Sequence, residues 1–229
     1  MPPTRVACAT LLLVIAACGG DTTGPGTPPP PPPPPPPANL ITIDGNNVGA
    51  SDGLVFISQN GQLISDGSVT VTANGVPATP INSGYFYDFG TPLSAGATLT
   101  VQATRLGKTA AIAGTVPATP ILSAPAVNGA VIPGTPVTVT WASATNPSYF
   151  IVRLGYRVGT TGTSIRDSVG GAVRTVNLAT TAIPVGATAL SVDVRAIGPE
   201  TLSGDVAPTS RLSLSATTEN RDLTLSAGP

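Results

Sequence analysis

Asn or Asp followed directly by Gly recurs along this sequence, at Asp44-Gly45, Asp52-Gly53, Asn60-Gly61, Asp66-Gly67, Asn74-Gly75 and Asn128-Gly129. Such pairs tolerate the positive φ angles of tight hairpin turns, and a spacing of about ten residues leaves room only for short strands between them. The intervening runs alternate. Val69 and Val71 interleave with Thr70 and Thr72, and Leu99, Val101 and Ala103 interleave with Thr100, Gln102 and Thr104. Alternation of this kind puts one set of side chains on each face of a strand. No window after residue 38 carries a convincing apolar stripe of helical period. The expected class is all-β, built as sandwiches or barrels.

Composition narrows the chemistry. Charged residues make up 9% of the 229 and aromatics 4%, with 26 Gly and 26 Pro. An ordinary domain carries roughly a quarter of its residues as charges, so the polar surface here must come from Ser, Thr, Asn and Gln. Ten basic residues face eleven acidic ones, which provides no overall field to attract phosphate or an anionic bilayer. No nucleic-acid partner is expected. There is no histidine, and the two cysteines, Cys8 and Cys18, both lie in the first eighteen residues. Most catalytic constellations, and zinc or copper sites, lose their usual ligands and bases at once.

The start of the chain has its own pattern. Arg5 precedes a twelve-residue apolar stretch from Val6 to Ala17. As a helix this rises about 18 Å, short of the roughly 30 Å hydrocarbon core, so it fits an export signal better than a membrane span. It ends in Ile15-Ala16-Ala17-Cys18-Gly19-Gly20, which resembles the lipobox of bacterial lipoproteins. The resemblance implies cleavage before Cys18 and lipidation of Cys18. Gly19, rather than Asp, implies delivery to the outer membrane in a two-membrane cell. The alternative is an ordinary secretory signal in which Cys18 is incidental. Two or three acyl chains would hold a soluble domain on a membrane almost indefinitely.

Residues 1–17 therefore read as a signal peptide and 18–38 as a tether. Pro28 to Pro37 is an unbroken run of ten prolines, which would stand as a polyproline II rod of about 31 Å. A ligand for a proline-recognising domain is the other reading of that run.

Residues 39–119 and 120–229 are expected to form two tandem sandwiches. In the first, Ile41 and Ile43 begin a strand, a hairpin flanks Asn60-Gly61, and strands follow at Ser68–Ala73 and Thr98–Thr104. The pattern resembles a bacterial immunoglobulin-like domain. The Pro-rich stretch Val116–Pro120 reads as a joint, because proline cannot continue a central strand. In the second unit, Pro136-Val137-Thr138-Val139-Thr140-Trp141 is similar to the second strand of fibronectin type III domains, which implies a core position for Trp141. Phe150, Val152, Leu154, Tyr156 and Val158 share one parity, with Arg153 and Arg157 outward. Leu190, Val192, Val194 and Ala196 fit the family's sixth strand and Arg211–Ala216 its closing strand. Leu190 stands where the family usually places its corner tyrosine, so the hydrogen bond pinning that corner is expected to be missing.

Five motifs could carry chemistry. Gly49-Ala50-Ser51-Asp52-Gly53 matches the nucleophile-elbow pattern but lacks a histidine and a parallel α/β context. Gly107-Lys108-Thr109 is expected at a hairpin tip rather than in a phosphate loop. Asp44, Asn46 and Gly49 sit at EF-hand positions, but Val48 and Val55 replace ligands, leaving at most a loose calcium site with Asp52. Asp193, Glu200 and Asp205 are near in sequence. Asp193 is expected to point outward and to pair with Arg153 or Arg157 at the surface, for at most about 1 kcal/mol. Tyr85-Phe86-Tyr87-Asp88-Phe89 gathers four of the nine aromatics in five residues. Alternation places Tyr85, Tyr87 and Phe89 on one side, either as sandwich core or as a stacking platform for sugar.

These residues imply a membrane-anchored envelope lipoprotein acting as a structural or protein-binding module. The alternative is a carbohydrate-binding module using Tyr85, Tyr87 and Phe89. No enzyme activity, no cofactor and no metal is expected. The expected partners are the membrane, through Cys18, and an envelope protein or glycan.

Overall fold

The computed structural model describes residues 40–48, 51–82 and 84–226. The signal, Cys18 and the proline run lie outside them, as do Gly49 and Ala50. Every regular element among the described residues is a strand.

The chain runs first through β1 (Ile41–Val48), β2 (Asp52–Gln59), β3 (Gln62–Leu63), β4 (Thr70–Ala73) and β5 (Val76–Pro77). It continues through β6 (Thr79–Ile81), β7 (Gly84–Asp88), β8 (Thr98–Arg105) and β9 (Lys108–Thr115). Next come β10 (Ile121–Ala124), β11 (Gly129–Val131), β12 (Val137–Ala142), β13 (Tyr149–Val158) and β14 (Thr161–Gly170). The last are β15 (Thr175–Leu178), β16 (Thr188–Ile197), β17 (Glu200–Gly204), β18 (Arg211–Thr217) and β19 (Arg221–Leu225).

The turn chemistry acts where expected at Asn60-Gly61 and Asn74-Gly75, whose four residues all have positive φ, from 48° to 81°. Asp44-Gly45 and Asp52-Gly53 behave differently and lie inside β1 and β2. Their neighbours Ile43 and Val55 are fully buried, and pairing within the sheet outweighs the local turn preference.

Two hydrophobic cores result. The first is closed by the sheet β18-β1-β2-β7-β6 on one side and β17-β9-β8-β4-β5 on the other. Leu99, Val101 and Ala103 all reach zero exposure in it, as their alternation predicts. The second core lies between β10-β12-β15 and the sheet of β13, β14, β16, β19 and β11. Trp141 is buried there, edge-on to Phe150 at 5.2 Å between centroids. Phe150, Val152, Leu154 and Tyr156 point inward, while Val158 at the strand end is exposed. The molecule is an all-β sandwich protein.

The closing strand of the second sandwich is β19, not Arg211–Ala216. The chain leaves β16, crosses to the first sandwich as β17 and β18, and returns as β19. β17 pairs antiparallel with β9, and β18 pairs parallel with β1. Leu212 and Leu214 of β18 fill the first core. The end of β18 also pairs with the end of β16, at Arg195–Ile197 against Ser215–Thr217. One hydrogen-bonded sheet therefore runs β19-β16-β18-β1-β2 through both sandwiches.

Two glycines make the crossing possible. A Cβ at Gly114 would meet the Leu214 side chain at 2.8 Å, and one at Gly198 would land on the Thr115 carbonyl oxygen. Gly198 also donates its N–H to Leu214, and Thr115 donates to Pro199. The Val116–Pro120 joint is correspondingly sealed. Val116, Pro117, Ala118 and Pro120 are buried, and the Ala118 N–H donates to Thr145 Oγ1. The corner between β15 and β16, which lacks the family's tyrosine, is pinned by other hydroxyls. Tyr156 Oη donates to the Ala182 carbonyl at 3.1 Å, and buried Thr180 Oγ1 lies 2.8 and 3.1 Å from the Thr135 and Ile132 carbonyls.

Candidate functional site

Tyr85 and Tyr87, on β7, are each 1% exposed and belong to the first core. Phe89 lies just past the strand, partly buried, with its ring 5.1 Å from that of Tyr87. The Tyr87 ring crosses directly over Gly53 of β2, where any side chain would collide with it. Stacking a sugar on these tyrosines would require ring faces that the sandwich already occupies. They act as packing residues in this structure. Burial pushes both phenols up from the ordinary tyrosine range, with Asp52 adding to the effect at Tyr87. At Tyr85 the Asp66 charge raises the value further and Arg105 opposes it.

The crossing separates Asp193, on β16, from Glu200 and Asp205, which lie at the two ends of β17. Asp193 Oδ2 accepts from Arg153 Nε at 2.7 Å, and the acid is buried while the arginine is half-exposed. The expectation of a wholly surface pair therefore holds only for the arginine. Glu200 belongs to β17, and its Oε2 accepts the Leu212 N–H at 2.7 Å. Asp205 Oδ2 lies 3.3 Å from the Thr109 nitrogen, which donates to it. Each carboxylate has a structural partner, and none faces another across a cleft.

Ser51 donates its hydroxyl to Asp52 Oδ1, and Gly53 continues an antiparallel strand, so the described part of the motif leads into a strand where a nucleophile elbow would lead into a helix. Gly107-Lys108-Thr109 forms the β8–β9 hairpin tip, with Leu106 and Gly107 at positive φ. Asp44 stands opposite Phe56, four residues along β2 from Asp52, and among the described residues no group of three His, Cys, Asp or Glu is placed to hold a metal ion. Among those residues there is also no helix long and apolar enough to cross a membrane.

One feature was only half legible in the sequence. Alternation predicts Arg153 and Arg157 to be outward, and pairing brings Arg166 and Arg195 to the same face. Arg166 stands opposite Arg153, and Arg195 stands opposite Ile151 in the neighbouring row. Two shallow depressions, of about 310 and 190 Å³, share Arg153 and Arg166 as their common wall. Outward parity in each strand could have found these arginines, but which strands lie side by side is a tertiary fact.

The fold and this face define a two-core β-sandwich protein with a charged outer sheet. No protein-family model and no curated protein matches the sequence. Among solved structures the chain is similar to the chicken CNTN1 FN1–FN3 domains, at 10% identity over 82% of this chain and 66% of that one, with a TM-score of 0.30. It is also similar to DIP-gamma IG1+IG2, at 13% identity over 84% of this chain and 99% of that one, with a TM-score of 0.23.

Proposed function

We propose that this protein is an exported bacterial lipoprotein, held by lipid on Cys18 in the outer membrane, that serves as a non-catalytic structural or binding module of the cell envelope. The observation that carries the reading is the sheet running unbroken through both sandwiches. A body built this way transmits position and load from one end to the other and displays its outer faces without internal hinges. In the sequence the proline run ends at Pro37, four residues before β1, and a run of that composition suits a stiff spacer. Asp193, Glu200 and Asp205 are each engaged in structural hydrogen bonds.

The test is affinity purification of the full chain from detergent-solubilised envelopes, alongside mass spectrometry of the mature N-terminus. Lipidated Cys18, loss of membrane association in Cys18→Ser, and recovery of a specific envelope partner support the reading. An unmodified mature Cys18 overturns the anchor. A hydrolytic or transfer activity in the purified protein overturns the non-catalytic role.

A further inference from the structure

Four of the chain's ten basic residues, Arg153, Arg157, Arg166 and Arg195, share the outer face of the sheet formed by β14, β13 and β16. Across that face the register runs Arg166, Arg153, Asp193, so two guanidinium groups stand directly opposite each other on neighbouring strands. Like charges so placed destabilise a strand pair. Asp193 compensates Arg153 alone. Among the described residues, the ion pairs are Arg153–Asp193 and Arg211–Glu200, so Arg157, Arg166 and Arg195 have no carboxylate partner. Asp222, on β19 opposite Ser191, is exposed on the same face, and Asp167 points to the other face of β14. Among the described residues Nε of Arg195 is buried without a hydrogen-bond acceptor.

The arginines form a track. At about 3.3 Å per strand residue, the rows from Tyr149 through Arg195, Arg153 and Arg166 to Arg157 extend over about 26 Å. Tyr149, at one end, has the same outward parity and is 39% exposed. The floor between the arginines is low and hydroxyl-rich, with Gly155, Gly162, Ser164 and Ser191 in one depression and Thr217 in the other.

We infer that this face binds an acidic polysaccharide, laid along the strand direction, whose carboxylates take Arg195, Arg166 and Arg157 and one of whose rings rests on Tyr149. The inference goes beyond the anchored-module reading and does not depend on the anchor. Arginine's planar fork matches carboxylate geometry, and the serine and threonine hydroxyls suit a hydroxyl-rich chain. Apart from the tyrosine, the large apolar side chains on these rows are half-buried Ile151 and buried Ile197, so the exposed aromatic and aliphatic anchors of a protein hot spot are lacking. A single exposed ring is likewise too little to hold single-stranded nucleic acid by successive base stacking.

The experiment measures binding of the full chain, in detergent, to immobilised polygalacturonate, its fully methyl-esterified form and polyglutamate, at low and high salt. Wild type should bind polygalacturonate, release it as salt rises, and ignore the esterified polymer. The double variant Arg157→Gln/Arg166→Gln should weaken binding tenfold or more with a melting temperature unchanged or slightly raised, since both side chains are exposed, Arg166 Nε makes only an exposed hydrogen bond to Ser164 Oγ at 3.2 Å, and its removal relieves the opposed charge. Tyr149→Ala should weaken it severalfold, and Lys108→Gln, on the first sandwich, should leave it unchanged. Absence of wild-type binding, an unaffected double variant, equal retention on the esterified polymer, or tighter binding to polyglutamate would each overturn the inference. Detergent replaces the membrane throughout, so a failure here leaves the anchor untouched, and a failed anchor leaves this measurement valid.

Discussion

Tyr87 shows how a single side chain can serve the core at a cost. Its ring fills space over Gly53, but its hydroxyl is buried with no hydrogen-bond partner among the described residues. An unpaired buried hydroxyl costs about 1 to 3 kcal/mol. Tyr87→Phe should therefore stabilise the protein by about 1 kcal/mol, read as a higher melting temperature at neutral pH. The same substitution should alter the alkaline limb. The folded protein keeps Tyr87 protonated beyond the pH, about 10, where an unfolded tyrosine ionises. Above that pH the unfolded state holds fewer protons, so stability falls as pH rises, and Tyr87→Phe should flatten the fall. Melting curves on both sides of about pH 10 check the sign. Trp141→Ala, in the other core, should cost about 3 to 5 kcal/mol in denaturant titration, because Trp141 is buried against Phe150.

At the scale of elements, periodicity and turn chemistry made much of the strand content readable. The β2–β3 and β8–β9 hairpins and the inward faces of β8, β13 and β16 follow from alternation, from the Asn60-Gly61 turn and from the Gly107-Lys108-Thr109 tip, and the core position of Trp141 from the resemblance of its strand. The destination of β18 does not. Arg211–Thr217 alternates as a closing strand of either sandwich would, and nothing local tells Leu212 and Leu214 which core to enter. The signal that could have decided it was small residues rather than apolar ones. Gly114 vacates the space Leu214 needs, and Gly198 lets the chain pass against Thr115. Gly198→Ala should lower stability by about 3 kcal/mol or more, since the added methyl meets backbone rather than a side chain that can move. Thermal melts and hydrogen exchange at the amides of residues 198 and 115, which donate to the Leu214 and Pro199 carbonyls at the crossing, measure it.

At the scale of the molecule, residues 37–229 form one compact unit. The shared sheet and the buried joint predict a single cooperative unfolding transition, with fluorescence of Trp141 in one core and a far-ultraviolet signal from both changing together. Two separated transitions would contradict that coupling. For the same reason limited proteolysis should spare residues 116–120, and a fragment ending at 119 should not fold alone, because β1 loses β18 and the first core loses Leu212 and Leu214. The candidate site divides along the same line. Alternation by itself placed Tyr85 and Tyr87 on one side of a strand and Arg153 and Arg157 on the outside of another. It could not say that the tyrosine side would be roofed by a second sheet, or that Arg166 and Arg195 would arrive beside Arg153. Hydrophobic period, turn residues and the absence of histidine are properties of neighbours along the chain, and they determined the all-β class, the strands and the expectation of no catalysis. Which strands pair, which face is covered and where charges converge depend on contacts between distant residues, whose energies exist only once the sheets have closed.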